Sequence, residues 1–462
     1  MNLTKNNFLT PLLLAILFFV IFTTISISKH QSFQSNAFDL GIHTQAIYLY
    51  SQGLTPFSTL KHMLVLGDHF GIALVLLAPL YRFFPSSETL LILQALFVSL
   101  SSIPIYLITQ DKLKSSLLSL LITLSYLTSV GITSAINFDF HLATISVLPL
   151  SFLLYGWYFK KWNIYWVSLI LSLLTKEDTS ILIFGLGIYK IFLKQTRSGI
   201  ATLIVSFFYF LIVKFMIMPF FWKGAEQGYI STSALPLTNP LELIVLFFSR
   251  PGIFLNHFFN SPIKQDTFDN LYKQYAYLPI LNPLSWFTVF PSLYLRFSST
   301  ATHFWTTIWH YNANLEPFLA ISTVFAISKF RIPIIAVALL LIFFLFYSGL
   351  SPNSLIWRVF YIKPSNIQNN SQIYQSLQII PANASVSAQN PFVPYLANRQ
   401  RIYLFPEIYD SRYIIVKPSL SSYPTTPEEI VSRVNSLISS SYWGIEYQNQ
   451  DLIILKKTNS NL

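Results

Sequence analysis

WNIYWVSLILSLLTKEDTSILIFGLGIYKIF, residues Trp162–Phe192, decides the fold. Lys160 and Lys161 precede this stretch, and Lys190, Lys194 and Arg197 close it, so both ends belong on the same, basic side of a membrane. Lys176-Glu177-Asp178 stands in its middle. One straight helix would hold these charges near the bilayer centre at roughly 2.5–3.5 kcal/mol each. A hairpin avoids that cost. Each arm is then about 20 Å of helix against a hydrocarbon core of ~30 Å. The charged apex is therefore expected below the outer surface, in a polar cavity rather than in lipid.

Outward from this hairpin, the signs of the charges alternate between the gaps of the apolar runs. One set of gaps carries Lys112/Lys114, Lys160/Lys161, Lys194/Arg197 and Lys329/Arg331, with Asp111 as its acid. The other carries Asp39, Asp68 and His69, Asp139 and His141, Lys176-Glu177-Asp178, and His310 with Glu316. This is a cytoplasmic face opposite a chemically equipped outer face. Composition agrees. The 462 residues are 53% hydrophobic and only 10% charged, with a mean hydropathy of +0.53, where a soluble chain would carry roughly a quarter charged residues. The net charge of +11 lies in short loops beside apolar runs and needs no nucleic-acid partner. The chain has no cysteine, which excludes disulfides, thiolate catalysis and Cys-based metal sites.

Spans are expected at Phe8–Ile27, Thr89–Ile108, Ser115–Ile136, His141–Phe159, Gly199–Pro219, Leu315–Ser328 and Ile332–Leu350. The first is too long for a signal peptide and lacks a small-x-small cleavage site, so it reads as an uncleaved span with its N-terminus inside. Gly71–Phe84 is short; were it to span, the later basic loops would all fall outside, so it reads as interfacial. That makes 29–88 one large outer loop. Leu241–Phe259, interrupted at Arg250-Pro251-Gly252, is expected as an outer amphipathic helix, and Tyr275–Phe297, broken at Asn282-Pro283, as a short hairpin. The polar remainder, 351–462, reads as an extracytoplasmic α/β domain, with strands at Ser385–Ala388, Arg401–Phe405, Tyr413–Val416 and Leu452–Leu455 and a helix at Glu428–Ile438. The fold class is an all-α polytopic membrane bundle, about 9–11 spans over residues 1–350, with a small C-terminal α/β soluble domain.

Candidate chemistry gathers at the outer level: Asp39, Asp68, His69, Asp139, His141, Lys176, Glu177, Asp178, His310 and Tyr311. Each has a plainer alternative. Asp39, after Ser35-Asn36, and Asp68, before an apolar run, could cap helices. Asp139 and His141 could be ordinary polar residues of a span junction, Lys176 with its two acids a self-neutralised structural cluster, and His310-Tyr311 a pair in an interfacial belt. Two Asp and two His could build a divalent-metal site only if the loops converge; no metal or other cofactor is expected.

The combination Phe38-Asp39-Leu40-Gly41, Gly67-Asp68-His69-Phe70, Asn137-Phe138-Asp139-Phe140-His141, Lys176-Glu177-Asp178, Ser385-Val386-Ser387-Ala388-Gln389-Asn390 and Tyr403-Leu404-Phe405-Pro406 resembles the prokaryotic membrane-protein family called domain of unknown function 2079. That family is in turn similar to the C-type, polyprenyl-phosphate-dependent glycosyltransferases. The resemblance implies sugar transfer from a polyprenyl phosphate in the cell membrane. It puts Asp39 on the acceptor side as base, and Lys176 on the lipid phosphate. It departs from that pattern in having no second acid beside Asp39, so acceptor type and metal dependence do not carry over. Two other classes fit the composition. One is a transporter or lipid-binding protein, since broken helices with intramembrane charge also mark transporters. The other is a non-catalytic membrane subunit whose outer domain binds partners.

Overall fold

The computed structural model describes residues 5–222, 249–349 and 370–458. The chain opens with α1 (Lys5–Gln31), followed by α2 (Ile42–Ser51), the small β1–β2 ribbon (Phe57–Ser58, Met63–Leu64) and α3 (Ala73–Phe83). The bundle continues through α4 (Ser87–Leu113), the bent pair α5 (Ser116–Leu127) and α6 (Val130–Phe138), then α7 (Leu142–Tyr158), α8 (Trp162–Leu173), α9 (Thr179–Phe192) and α10 (Thr196–Phe221). After α11 (Pro251–Phe259) and α12 (Pro262–Lys273) come α13 (Pro283–Phe297), α14 (Glu316–Phe330) and α15 (Ile334–Gly349). Among the described residues, α1, α4 and α10 are each long and apolar enough to cross a membrane, and α5 with α6 does so as one bent span. The other apolar helices are shorter, α3 at 11 residues among them. Leu241 to residue 248 and the start of the C-terminal domain, 351–369, lie outside the described residues.

The decisive hairpin is α8 and α9, 12 and 14 residues long. Its arms are held by close crossings that only glycine permits. A Cβ on Gly185 would stand 1.9 Å from the Phe287 carbonyl oxygen of α13, and one on Gly199 of α10 would stand 3.0 Å from the Gly187 carbonyl oxygen of α9. At the basic end, four chain reversals turn on a basic residue in the left-handed region: Lys114 (φ 50°), Lys160 (φ 56°), Lys194 (φ 62°) and Arg331 (φ 51°). Glycine is the cheaper residue there, but a cation complements the negative end of the preceding helix.

One expectation is corrected. Tyr275–Phe297 is not a hairpin. The Asn282 side chain accepts from Leu284 N at 2.9 Å and Pro283 takes the first turn, so Asn-Pro starts a single helix, α13, instead of joining two arms.

The C-terminal unit holds α16 (Ser371–Leu377), α17 (Pro427–Ser439) and a five-stranded sheet ordered β4-β3-β5-β7-β6. Its strands are β3 (Val386–Ala388), β4 (Ile402–Leu404), β5 (Tyr413–Val416), β6 (Trp443–Asn449) and β7 (Leu452–Lys457). Val386 pairs in parallel with Ile402 and Tyr413, and Ile414 antiparallel with Leu455. Thr426 and Glu429 close a capping box at α17. This unit does not hang free. Phe33, Ala37, Ile42 and Leu60 of the 29–88 loop share one apolar core with Val386, Phe392, Val393 and Ile402. Polar ties reinforce it: Tyr81 Oη donates to Asn398 Oδ1 at 2.7 Å, and Ile402 N donates to Thr59 Oγ1 at 3.0 Å.

Candidate active site

Asp39 is presented by the tight turn Ala37–Gly41, which is clamped from both sides. On one side Asn390 of the C-terminal unit accepts from Ala37 N at 2.8 Å and donates to Asn36 Oδ1 at 2.7 Å. Val393 packs over Gly41 so closely that a Cβ there would lie 2.7 Å from Val393 Cγ1. On the other side Asn36 N donates to Asp139 Oδ2 at 3.0 Å. Asp139 also receives Lys29 of α1 at 3.5 Å, so its buried carboxylate ties the first helix to the turn.

Three further segments converge on Asp39. Gln94 of α4 accepts from His141 N at 2.8 Å and donates to the Asp139 carbonyl at 3.0 Å, fixing the loop before α7. That loop stacks His141 on His310, ring centroids 3.4 Å apart. His310 Nδ1 stands 3.7 Å from Asp39 Oδ2, and neither of its buried ring nitrogens has a hydrogen-bond partner among the described residues. Tyr311 packs against His310 at 4.2 Å. The hairpin apex supplies the fourth side. Lys176, 5% exposed, lies 3.4 Å from Asp178, whereas Glu177 accepts from His69 Nδ1 at 3.0 Å and Phe70 N at 3.2 Å. Asp68 is spent on Lys61 at 3.4 Å.

Three participants were missed in the sequence. His43, one helical turn after Asp39, donates Nδ1–H to the Asp39 carbonyl at 2.8 Å and meets His141 edge-on at 5.5 Å; the i, i+4 spacing was a usable signal. Lys29, placed by the sequence at the start of the 29–88 loop, reaches Asp139 at 3.5 Å. Arg296, hidden between Leu295 and Phe297, donates to the Tyr311 carbonyl at 2.9 Å and to Asn312 Oδ1 at 2.8 Å, and so holds the His310-Tyr311 turn in place.

Electrostatics sorts these groups. Burial pushes the Asp39 carboxyl up to about 6, against the pull of His69 and Lys176. Burial also lowers His43 to about 4. His141 and His310 fall well below the usual imidazole range, first through burial and then through neighbouring groups, Lys176 among them. Glu177 resists the upward push of burial because His69 and Lys176 hold it ionised. At neutral pH the Asp39 carboxylate thus faces the neutral imidazoles of His43, His141 and His310, with Lys176 nearby.

Asp39, His141 and His310 each place one donor atom within 4.8 Å of the others. They fit a divalent cation poorly. Ala143 N donates to His141 Nδ1 at 3.0 Å, which leaves the proton of the neutral ring on Nε2. Asp139 is turned away toward Lys29. A dication at His310 would also face Lys176 and Arg296, cations that already depress that ring.

The family model for predicted membrane proteins of domain of unknown function 2079 matches residues 29–455. The chain belongs to this family. Among solved structures it is similar to ArnT from Cupriavidus metallidurans bound to undecaprenyl phosphate, with a TM-score of 0.53 and 9% identity, over 97% of this chain and 98% of that one. The membrane bundle and the C-terminal unit together thus share the fold of that protein. No curated protein matches in sequence.

Proposed function

We propose that this family member transfers a sugar from a polyprenyl-phosphate donor to an acceptor hydroxyl, at the membrane face on which the C-terminal unit sits. The observation that carries the reading is that Lys176, 137 residues further along the chain (176 − 39), comes close enough to Asp39 for its charge to pull on that carboxyl. The similarity to a fold solved with undecaprenyl phosphate supports the donor class. In the reaction the acceptor oxygen attacks the anomeric carbon of the donor. The bond from that carbon to the phosphate oxygen breaks, and the electron pair leaves with the polyprenyl phosphate. Asp39 takes the acceptor proton; 26% of its side-chain surface is open to an incoming hydroxyl. Lys176 neutralises the departing phosphate as a point charge, and Asp178 keeps it aimed. The neutral imidazole of His310, buried with Nδ1 3.7 Å from Asp39 Oδ2, is suited to hold the Asp39 carboxylate in place.

The test is transfer by the full chain, reconstituted in vesicles with a panel of polyprenyl-phosphate sugars. Product that disappears in Asp39→Asn but persists after chelation with EDTA is expected. Wild-type transfer by Asp39→Asn would overturn the assignment. Membrane orientation is read by placing a cysteine at Lys160 in this cysteine-free chain; labelling by an impermeant reagent from the cytoplasmic side alone is expected, and labelling only from outside rejects the topology.

A further inference from the structure

The hairpin has a second end, and a second cavity lies there. It encloses about 830 Å³, and its wall carries Lys112, Lys160, Lys194, Arg197 and Lys329 with no carboxylate among the described lining residues. The nearby acid, Asp111, is taken up by Lys114 at 2.9 Å and by the Tyr158 hydroxyl at 2.8 Å. A basic membrane face explains lysines in loops. It does not explain five cations drawn round one hollow from the ends of α4, α7, α9 and α14 and the start of α10, where they repel one another.

Three other features of the same hollow favour an anion. Gln195 to Ser198 line it at the N-terminus of the long helix α10, where the first N–H groups have no partner within the helix. The Gln195 side chain is held there by Trp157 Nε1 at 2.8 Å. Lysine rather than glycine stands at positions 160 and 194, although each is a left-handed backbone position, a conformation that costs a side-chain-bearing residue roughly 1–2 kcal/mol. Trp157, Trp162 and Phe325 supply apolar wall beside the cations, as a head group attached to a glycerol backbone would require.

We propose that this cavity binds a phosphate-bearing anion. Two sources share that chemistry: the head group of an anionic membrane lipid and a soluble phosphate. The proposal does not depend on the transfer reaction at the other end. Thermal unfolding of the full chain in delipidated detergent micelles tests it, with phosphatidylglycerol, phosphatidylcholine and inorganic phosphate as separate additions. A ligand that binds only the folded state raises Tm with its concentration. A rise with phosphatidylglycerol but not phosphatidylcholine or inorganic phosphate supports the lipid source; a rise with inorganic phosphate supports the soluble one. In either case the variant Lys160→Gln/Lys194→Gln/Lys329→Gln should need at least tenfold more ligand for the same rise, while Lys456→Gln, on the C-terminal sheet, should behave as wild type. Should the triple variant fail to fold, Arg197→Gln alone is expected to move the midpoint in the same direction. No rise with any phosphate compound, or a rise that these variants leave unchanged, overturns the proposal.

Discussion

The two ends of the α8–α9 hairpin solve opposite problems with the same residue types. At the apex, Lys176 and Glu177 are buried, and each has a counter-group: Asp178 for the lysine, His69 and Phe70 N for the glutamate. At the base, Lys160 and Lys194 are exposed and no acid stands among the described residues of the cavity wall. Buried charge must be paired because desolvation otherwise costs several kcal/mol per ion. Exposed charge can be of one sign because water and salt screen it. Apex charges are thus part of a network that can be broken by one substitution, and base charges form a field that is weakened by degrees.

The sharpest way to break this contrast is at the carboxylate the apex faces. Asp39→Asn keeps size and removes the base. Transfer should fall by about 10²–10⁴-fold, with donor retention unchanged when labelled polyprenyl-phosphate sugar is co-purified with the variant. Next in size is the network itself. Glu177→Ala strands His69 and an amide in a buried site and should cost about 3 kcal/mol, read as a lower midpoint of thermal unfolding. Lys160→Ala, at the base, should stay within about 0.5 kcal/mol of wild type. Equal losses from the two would mean that the ends do not differ as described.

A smaller effect comes from pH. Because burial raises Asp39 to about 6, the carboxylate needed as base is present above that value and is titrated away below it. Transfer should therefore climb with pH through about 6 and then level. The same shift has the opposite sign for stability. A carboxyl raised in the folded state favours folding below its ordinary pKa, and that contribution is lost as pH rises through about 6. Activity and Tm measured over the same pH range should thus move in opposite directions; in Asp39→Asn the stability component from this group should vanish.

The hairpin was legible in the sequence because three charges inside an apolar run allow few solutions. The strands Val386–Ala388 and Tyr413–Val416 were legible because they are buried apolar runs. What stayed hidden had no local signature. Strand β6, Trp443–Asn449, lies at the sheet edge with Trp443 as its one buried residue, so it has no apolar run to betray it. Arg296 does its work on carbonyls that tertiary folding brings to it. Asp139 carried the same motif as His141, yet one turns to Lys29 and the other to His310; one-dimensional spacing does not say which way adjacent side chains of a loop will face.

The smallest expected effect separates the base from the apex at a single atom position. Lys194 stands at φ 62°, where glycine carries no Cβ penalty. Lys194→Gly removes a strain of roughly 1–2 kcal/mol but gives up a cation at the carboxyl end of α9, a contribution of about 0.3–1 kcal/mol. Glycine also loses more backbone entropy on folding, by roughly 0.5–1 kcal/mol. These terms nearly cancel, so Tm should stay close to wild type and transfer should be untouched. A large drop in transfer would mean that the basic end communicates with the site some 20 Å of helix away, and the two ends could then no longer be treated as independent.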